Sequence, residues 1–195
     1  MSDLPSKQLW IVRHGETEWS LSGQHTGTTD IPLTANGREK AKEVAPLLAG
    51  IDFSLVLSSP LGRARETAAL AGFDNPEIDD DLVEWNYGDY EGITTKEIRK
   101  TVPAWSIWSH GAGDADGETA EAIAARIDRV ISRVRLAGGG PCICFGHGHS
   151  SRVLTARWLG LAASDGRLFV LDAGAVCILG AEHEWSAIRA WNQTP

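Results

Sequence analysis

Long hydrophobic runs are missing from this chain of 195 residues. No segment approaches the roughly 18 consecutive apolar residues of a membrane-spanning helix. The opening Met1 to Lys7 has neither the basic start nor the apolar stretch of a secretory signal, which predicts a cytoplasmic protein that does not enter membranes. Cysteine is scarce, with Cys142, Cys144 and Cys177 making an odd set of three. Two of them are spaced Cys-x-Cys inside an apolar run, which suits buried free thiols better than a disulfide framework or a zinc site. Positive charge is in deficit: 18 Lys and Arg face 26 Asp and Glu, for a net charge of -8. A broad basic face for nucleic acid is thereby excluded, although a few local arginines can still hold a single phosphate. Phenylalanine and tyrosine are also sparse, at four and two, whereas there are eight tryptophans. Trp85, Trp105 and Trp108 fall in the polar middle third, where an indole serves either as packing or as the wall of a pocket.

The length fits one domain over residues 1–195, able to bury a core without staples. Residues 8–12, 53–57 and 141–145 read as short buried strands bounded by Gly, Ser or Pro. Helical spacing follows Thr34 up to Gly50, recurs from Arg63 to Ala71, and returns from Glu118 to Leu136 before the breaker Gly138-Gly139-Gly140. Ser151 to Leu159 predicts a further helix. Leu168–Leu171 and Ala175–Leu179 predict late strands, the latter in a hairpin with Trp185–Trp191. Strands alternating with helices predict an α/β fold, a three-layer α/β/α sandwich around a mostly parallel sheet. Residues 84–117 break the alternation, with a short helix near Thr95–Lys100. Such an irregular insertion predicts a cap over the substrate site.

Three predicted strand ends carry chemistry. Val12 gives way to Arg13-His14, Leu57 to Ser58-Ser59-Pro60-Leu61-Gly62-Arg63, and Phe145 to Gly146-His147-Gly148-His149. The C-terminal ends of parallel strands share one edge of the sheet, so two histidines and two arginines can meet there. Glycines beside each histidine, Gly15 and Gly146 with Gly148, let the backbone approach a ligand closely. A neutral histidine can attack phosphorus if its other ring nitrogen is held by an acceptor, while arginines bind the remaining oxygens bidentately. A leaving alkoxide also needs a proton. Glu84 stands beside the large ring of Trp85 at the entrance of the insertion, a setting suited to a general acid.

Taken together, Arg13-His14-Gly15-Glu16-Thr17, Thr26-Gly27 through Pro32-Leu33-Thr34 and Gly37, Ser58-Ser59-Pro60 with Arg63, Glu84 with Gly88 and Glu91-Gly92, and His147-Gly148 with Arg152 resemble the histidine phosphatase superfamily, also called phosphoglycerate mutase-like. The resemblance runs through nearly the whole chain in the family's order. It implies the phosphoglycerate mutase-like fold, a catalytic set of His14, Arg13, Arg63, His147 and Glu84, and no metal or organic cofactor. In that reading His14 is the residue phosphorylated, Arg13, Arg63 and His147 form the phosphate pocket, and Glu84 donates a proton and then activates water.

The same core supports a phosphatase or a mutase. Mutases of the family carry an Arg before the Tyr-Gly pair, a Gly-Leu-Asn-Lys stretch and a pair of arginines for the substrate carboxylate. Here the corresponding residues are Trp85-Asn86-Tyr87-Gly88 and Gly92-Ile93-Thr94-Thr95, and no adjacent arginine pair follows. A desolvated carboxylate needs cationic partners, so hydrolysis is favoured. Ser20 replaces the Asn of many relatives and can still donate one hydrogen bond to phosphate. The segments around Ser20, Thr26-Gly27 and Trp105-x-x-Trp108-x-His110-Gly111 are similar to the branch of sugar-phosphate and broad-specificity acid phosphatases that includes sedoheptulose-bisphosphatase-like enzymes. Expected substrate contacts are Ser20, Thr26, Gly27, Tyr87, Trp108, His110, Gly148 and His149, around a small phosphate ester. A phosphate-binding module without catalysis and a metal hydrolase built on His147 and His149 are the other readings, and oligomeric state is open.

Overall fold

The computed structural model describes residues 7–112 and 116–195. The opening Met1 to Ser6 and residues 113–115 of the expected cap lie outside the described residues. One six-stranded sheet is built from β1 (Leu9–Arg13), β2 (Leu55–Ser58), β3 (Glu77–Ile78), β4 (Cys142–Gly146), β5 (Val176–Glu182) and β6 (Trp185–Gln193). Their order across the sheet is β3-β2-β4-β1-β5-β6. β1, β2, β3 and β4 run parallel, and β5 and β6 join antiparallel beside β1.

The period of two along each strand decides which layer receives which side chain. Leu9 and Ile11 of β1, Leu57 of β2, and Cys142 and Cys144 of β4 enter one core with Ile123, Ile127, Val130 and Val134. Val12, Ile143 and Phe145 enter the opposite core with Val44, Leu48 and Ala68. Helices therefore cover both faces. Helices α1 (Glu18–Ser22), α2 (Ala35–Leu48) and α3 (Gly62–Leu70) occupy the first half of the chain. Two short helices, α4 (Thr95–Ile98) and α5 (Ile107–His110), belong to the irregular middle, followed by the long α6 (Ala120–Leu136) and by α7 (Gly148–Trp158). Among the described residues no helix is long and apolar enough to cross a membrane.

Three elements differ from expectation. Leu168–Leu171 is not a strand: a 3-10 helix covers Ala163–Leu168, and the following backbone bonds to side chains instead of a ladder. Val170 O accepts from Trp191 Nε1 and Leu171 O from Arg13 Nη1, each at 2.5 Å. Helix α7 begins at Gly148, three residues before the expected Ser151, so its first turn lies against the predicted chemistry. The irregular segment holds more helix than the single turn expected near Thr95, since α5 follows and a 3-10 turn spans Gly88–Tyr90. Trp85 and Trp105 are buried in the main core, not displayed.

Candidate active site

Parallel pairing of β1 with β4 sets Arg13 opposite Gly146, so the next residues along, His14 and His147, emerge side by side. Their ring centroids are 5.2 Å apart. Both histidines are buried. His14 Nδ1 lies 2.7 Å from Gly15 O. A carbonyl can only accept, so Nδ1 carries the proton and Nε2 keeps its lone pair. Burial first, and then the charges of Arg13 and Arg63, hold His14 well below the usual imidazole range. The ring is uncharged at neutral pH. Glycine is required beside it, because a Cβ on Gly15 would stand 2.5 Å from Gly37 O, and one on Gly37 would run into Glu16. The turn after β1 and the start of α2 pack backbone on backbone.

Around His14, buried polar atoms are left without protein partners. Arg13 donates through Nη1 to Leu171 O at 2.5 Å, but its Nε meets nothing. Arg63, on the first turn of α3, donates to Thr29 O at 2.8 Å, Gly27 O at 2.9 Å and Thr26 O at 3.3 Å, and its Nε too is unpaired. Ser59 Oγ and His147 Nε2 are 2.8 Å apart. The buried serine hydroxyl has only that nitrogen to donate to, so the proton of His147 sits on Nδ1, which has no partner either. Among the described residues four buried side-chain nitrogens or oxygens are unpaired; the fourth, Trp10 Nε1, belongs to a ring packed on Phe53. Three desolvated donors gathered by one imidazole call for an oxyanion with several acceptor oxygens.

Glu84 enters from the opposite side and is buried. Its Oε1 accepts from Ser150 N at 2.7 Å and Trp85 N at 2.9 Å, and its Oε2 accepts from His149 N at 2.9 Å. Two of these donors are orphan N–H groups of the first turn of α7, which thus fixes the carboxylate in the cleft that Arg13 and His14 also line. The loop carrying Glu84 is held from behind by Arg126 of α6. Arg126 donates to Asp81 O, Val83 O and Glu84 O at 2.7, 2.8 and 3.1 Å. Its remaining donors meet Glu118 at 2.6 and 2.8 Å, and Glu118 O accepts from Trp85 Nε1.

A cleft of about 180 Å³ opens above these groups, lined by Arg13, His14, Ser20, Thr26, Glu84, Tyr87, Gly148 and His149, and also by Trp19, Gln24, His25 and Arg152. Of the residues expected to meet substrate, three do not line this cleft: Gly27, Trp108 and His110. Trp108 and His110 line a separate hollow with Gly117 and Arg157. Trp108 backs the cleft wall with its ring 5.1 Å from that of His149, whereas His110 Nδ1 is bound to Ser109 Oγ at 2.9 Å on the exposed end of α5. Ser20 lines the cleft, but its hydroxyl accepts from Thr17 N at 2.9 Å to close the capping box of α1 and donates to Thr17 O at 2.8 Å. Thr26 and Gly27 contribute carbonyls to Arg63, and a Cβ on Gly27 would come within 2.6 Å of Trp85 O. His147 and His149 do not converge as a chelating pair, since one is tied to Ser59 and the other to Tyr87. Sequence reasoning gave Ser59, Gln24 and Arg152 no site role, although Ser59 follows a predicted strand and both Ser59 and Arg152 stand in the motifs that carry the family resemblance.

Over residues 9–194 the chain matches the histidine phosphatase superfamily (branch 1). It is 38% identical over 182 residues to an acid phosphatase of Mycobacterium tuberculosis, covering 90% of this chain and 87% of that protein. It is 37% identical over 183 residues to sedoheptulose 1,7-bisphosphatase of Saccharomyces cerevisiae, covering 77% and 67%. The structure of an open reading frame of Mycobacterium tuberculosis superposes with a TM-score of 0.93 at 35% identity, covering 97% of this chain and 99% of that one. A match of that extent, on a chain whose paired strand ends carry the two histidines, makes this protein a member of the histidine phosphatase superfamily.

Proposed function

We propose that this protein hydrolyses small phosphomonoesters, with sugar phosphates or bisphosphates as the substrate class, through a phosphohistidine on His14. The observation that carries the reading is the trio of unpaired buried donors, Arg13 Nε, Arg63 Nε and His147 Nδ1, around an imidazole whose Nε2 is free to attack. Three non-bridging oxygens satisfy those donors and are stabilised by them as charge spreads in the transition state.

In the first half-reaction the lone pair of His14 Nε2 forms a bond to phosphorus while the bond to the ester oxygen breaks. Glu84 gives its proton to the departing alcohol. In the second, Glu84 as carboxylate takes a proton from water, the water oxygen bonds to phosphorus, and the P–N bond breaks to return its electron pair to Nε2. The proton on Nδ1 stays with Gly15 O throughout. Transfer to a second hydroxyl of a sugar acid is disfavoured because, among the described residues, Arg152 is the one Lys or Arg of the cleft wall beyond Arg13, and it is stacked on Trp108 with its charge centre 4.6 Å from the ring centroid.

Brief mixing with a ³²P-labelled phosphomonoester followed by an alkaline quench tests this. An acid-labile label on His14, lost together with phosphate release in His14→Ala, is the expected result. Label on a serine or aspartate would remove the mechanism, and isomerised ester in place of inorganic phosphate would make the protein a mutase.

A further inference from the structure

The cleft wall holds a second imidazole whose orientation the chemistry of the phosphohistidine does not use. His149 sits on the first turn of α7, and its Nδ1 is 2.7 Å from Tyr87 Oη. The phenol is almost completely buried, at 2% exposure, and among the described residues His149 is its sole hydrogen-bond partner. A buried hydroxyl must donate to something, and the only acceptor within reach is Nδ1. The ring proton of His149 therefore resides on Nε2. Burial, with the charge of Glu84 next, raises the phenol well above its ordinary range, and burial with Arg152, His25 and Arg13 nearby keeps the imidazole uncharged.

The ring is also fixed in direction. Trp108 packs against it with centroids 5.1 Å apart, and the Tyr87 ring meets it edge-on at 5.8 Å. Its Nε2 makes no hydrogen bond among the described residues, and His149 lines the same cleft as Glu84 and Arg13. An oriented N–H without an acceptor, on a residue that lines the cleft together with Glu84, needs an oxygen that arrives with the substrate.

We propose that Tyr87 fixes His149 as a hydrogen-bond donor to an oxygen of the alcohol portion of the substrate, so that the pair selects esters of polyhydroxylated alcohols over those of bare hydrocarbons. Tyr87 is here a positioning residue, and His149 the specificity contact. The inference rests on the hydrolase reading above and adds to it the chemistry of the leaving group. His25, with its ring 4.7 Å from that of Tyr87, closes the other side of the pair and restricts the room for a bulky hydrocarbon.

Two measurements decide it. In ¹⁵N-histidine-labelled protein, two-bond ¹H–¹⁵N correlation spectra assigned with His149→Gln should show His149 as the Nε2–H tautomer, and a tautomer mixture in Tyr87→Phe. Glycerol 1-phosphate and n-propyl phosphate then provide matched esters with and without hydroxyls. The ratio of their kcat/KM values should fall about 3- to 10-fold in Tyr87→Phe and in His149→Phe, the worth of one neutral hydrogen bond. His149→Gln, which retains an N–H, should recover part of the ratio. An Nδ1–H tautomer in the native protein, or a ratio left unchanged by Tyr87→Phe, overturns this inference alone. No turnover of either ester by the native protein overturns the hydrolase reading and this inference with it.

Discussion

Three backbone N–H groups converge on the Glu84 carboxylate, so its two oxygens are pinned in place and the substrate must come to them. Glu84→Gln keeps the shape and loses the transferable proton. Hydrolysis of a sugar phosphate should slow by about 10²- to 10⁴-fold, as expected for loss of a general acid, whereas p-nitrophenyl phosphate, whose leaving group needs little protonation, should slow far less. Steady-state rates on the two esters check this, and equal losses would remove Glu84 from the proton-transfer role. The residues that meet at this site were readable where each ends a predicted element: His14 and His147 after strands, Arg63 at a helix start, Glu84 at the edge of an irregular segment. Ser59 was passed over although it too follows a strand, because a serine there has many ordinary uses. Ser20 illustrates the reverse: its type suits a phosphate contact, but a hydrogen bond three residues away along the chain takes the hydroxyl first.

Helix α6 acts on the chemistry through Arg126, which ties three carbonyls of the Glu84 loop to the carboxylate of Glu118. Both side chains of that ion pair are nearly buried, with 9% and 14% exposure. Arg126→Met would leave Glu118 without its cation and release the loop, with an expected loss of about 3–5 kcal/mol in urea unfolding. The rate on a sugar phosphate should fall more than that on p-nitrophenyl phosphate; an unchanged ratio would mean that the clasp is merely structural. At the other end of the site, Gly37→Ala would press a methyl group into the backbone of Glu16 and part α2 from the turn that carries His14. A loss of about 1–3 kcal/mol is expected for such overpacking, read as a lowered thermal midpoint. Short apolar runs bounded by Gly, Ser or Pro made the central strands legible before any coordinates, and helical spacing of apolar residues did the same for both helical layers. The segment Leu168–Leu171 was misread because four apolar residues in a row look like a buried strand, whereas here the carbonyls of Leu171 and Val170 serve Arg13 and Trp191, partners distant in sequence.

Four of the six histidines, His14, His25, His147 and His149, sit uncharged in or beside the cleft, all held below the usual imidazole range chiefly by burial. A base that resists protonation when folded takes it up on unfolding, so folding stability is complete well above pH 6.5 and declines as pH falls below that value. For His25, pushed down to about 4, the decline continues toward that pH. Thermal midpoints measured from pH 8 to pH 5 should drop steadily, and a His25→Phe variant should show a shallower slope. A flat profile would contradict the uncharged state of the cluster. Inorganic phosphate should restore part of the loss, since it binds only the folded chain. The two histidines of the phosphate site owe their spacing to the hydrogen-bond ladder between β1 and β4, and a ladder is a stepped ruler. The smallest error it allows is one whole residue, which would turn every side chain of the strand to the wrong face. Such a molecule has no partly competent conformer: in a urea titration, catalysis and circular dichroism should fail at the same midpoint, and loss of activity should report loss of the entire sheet.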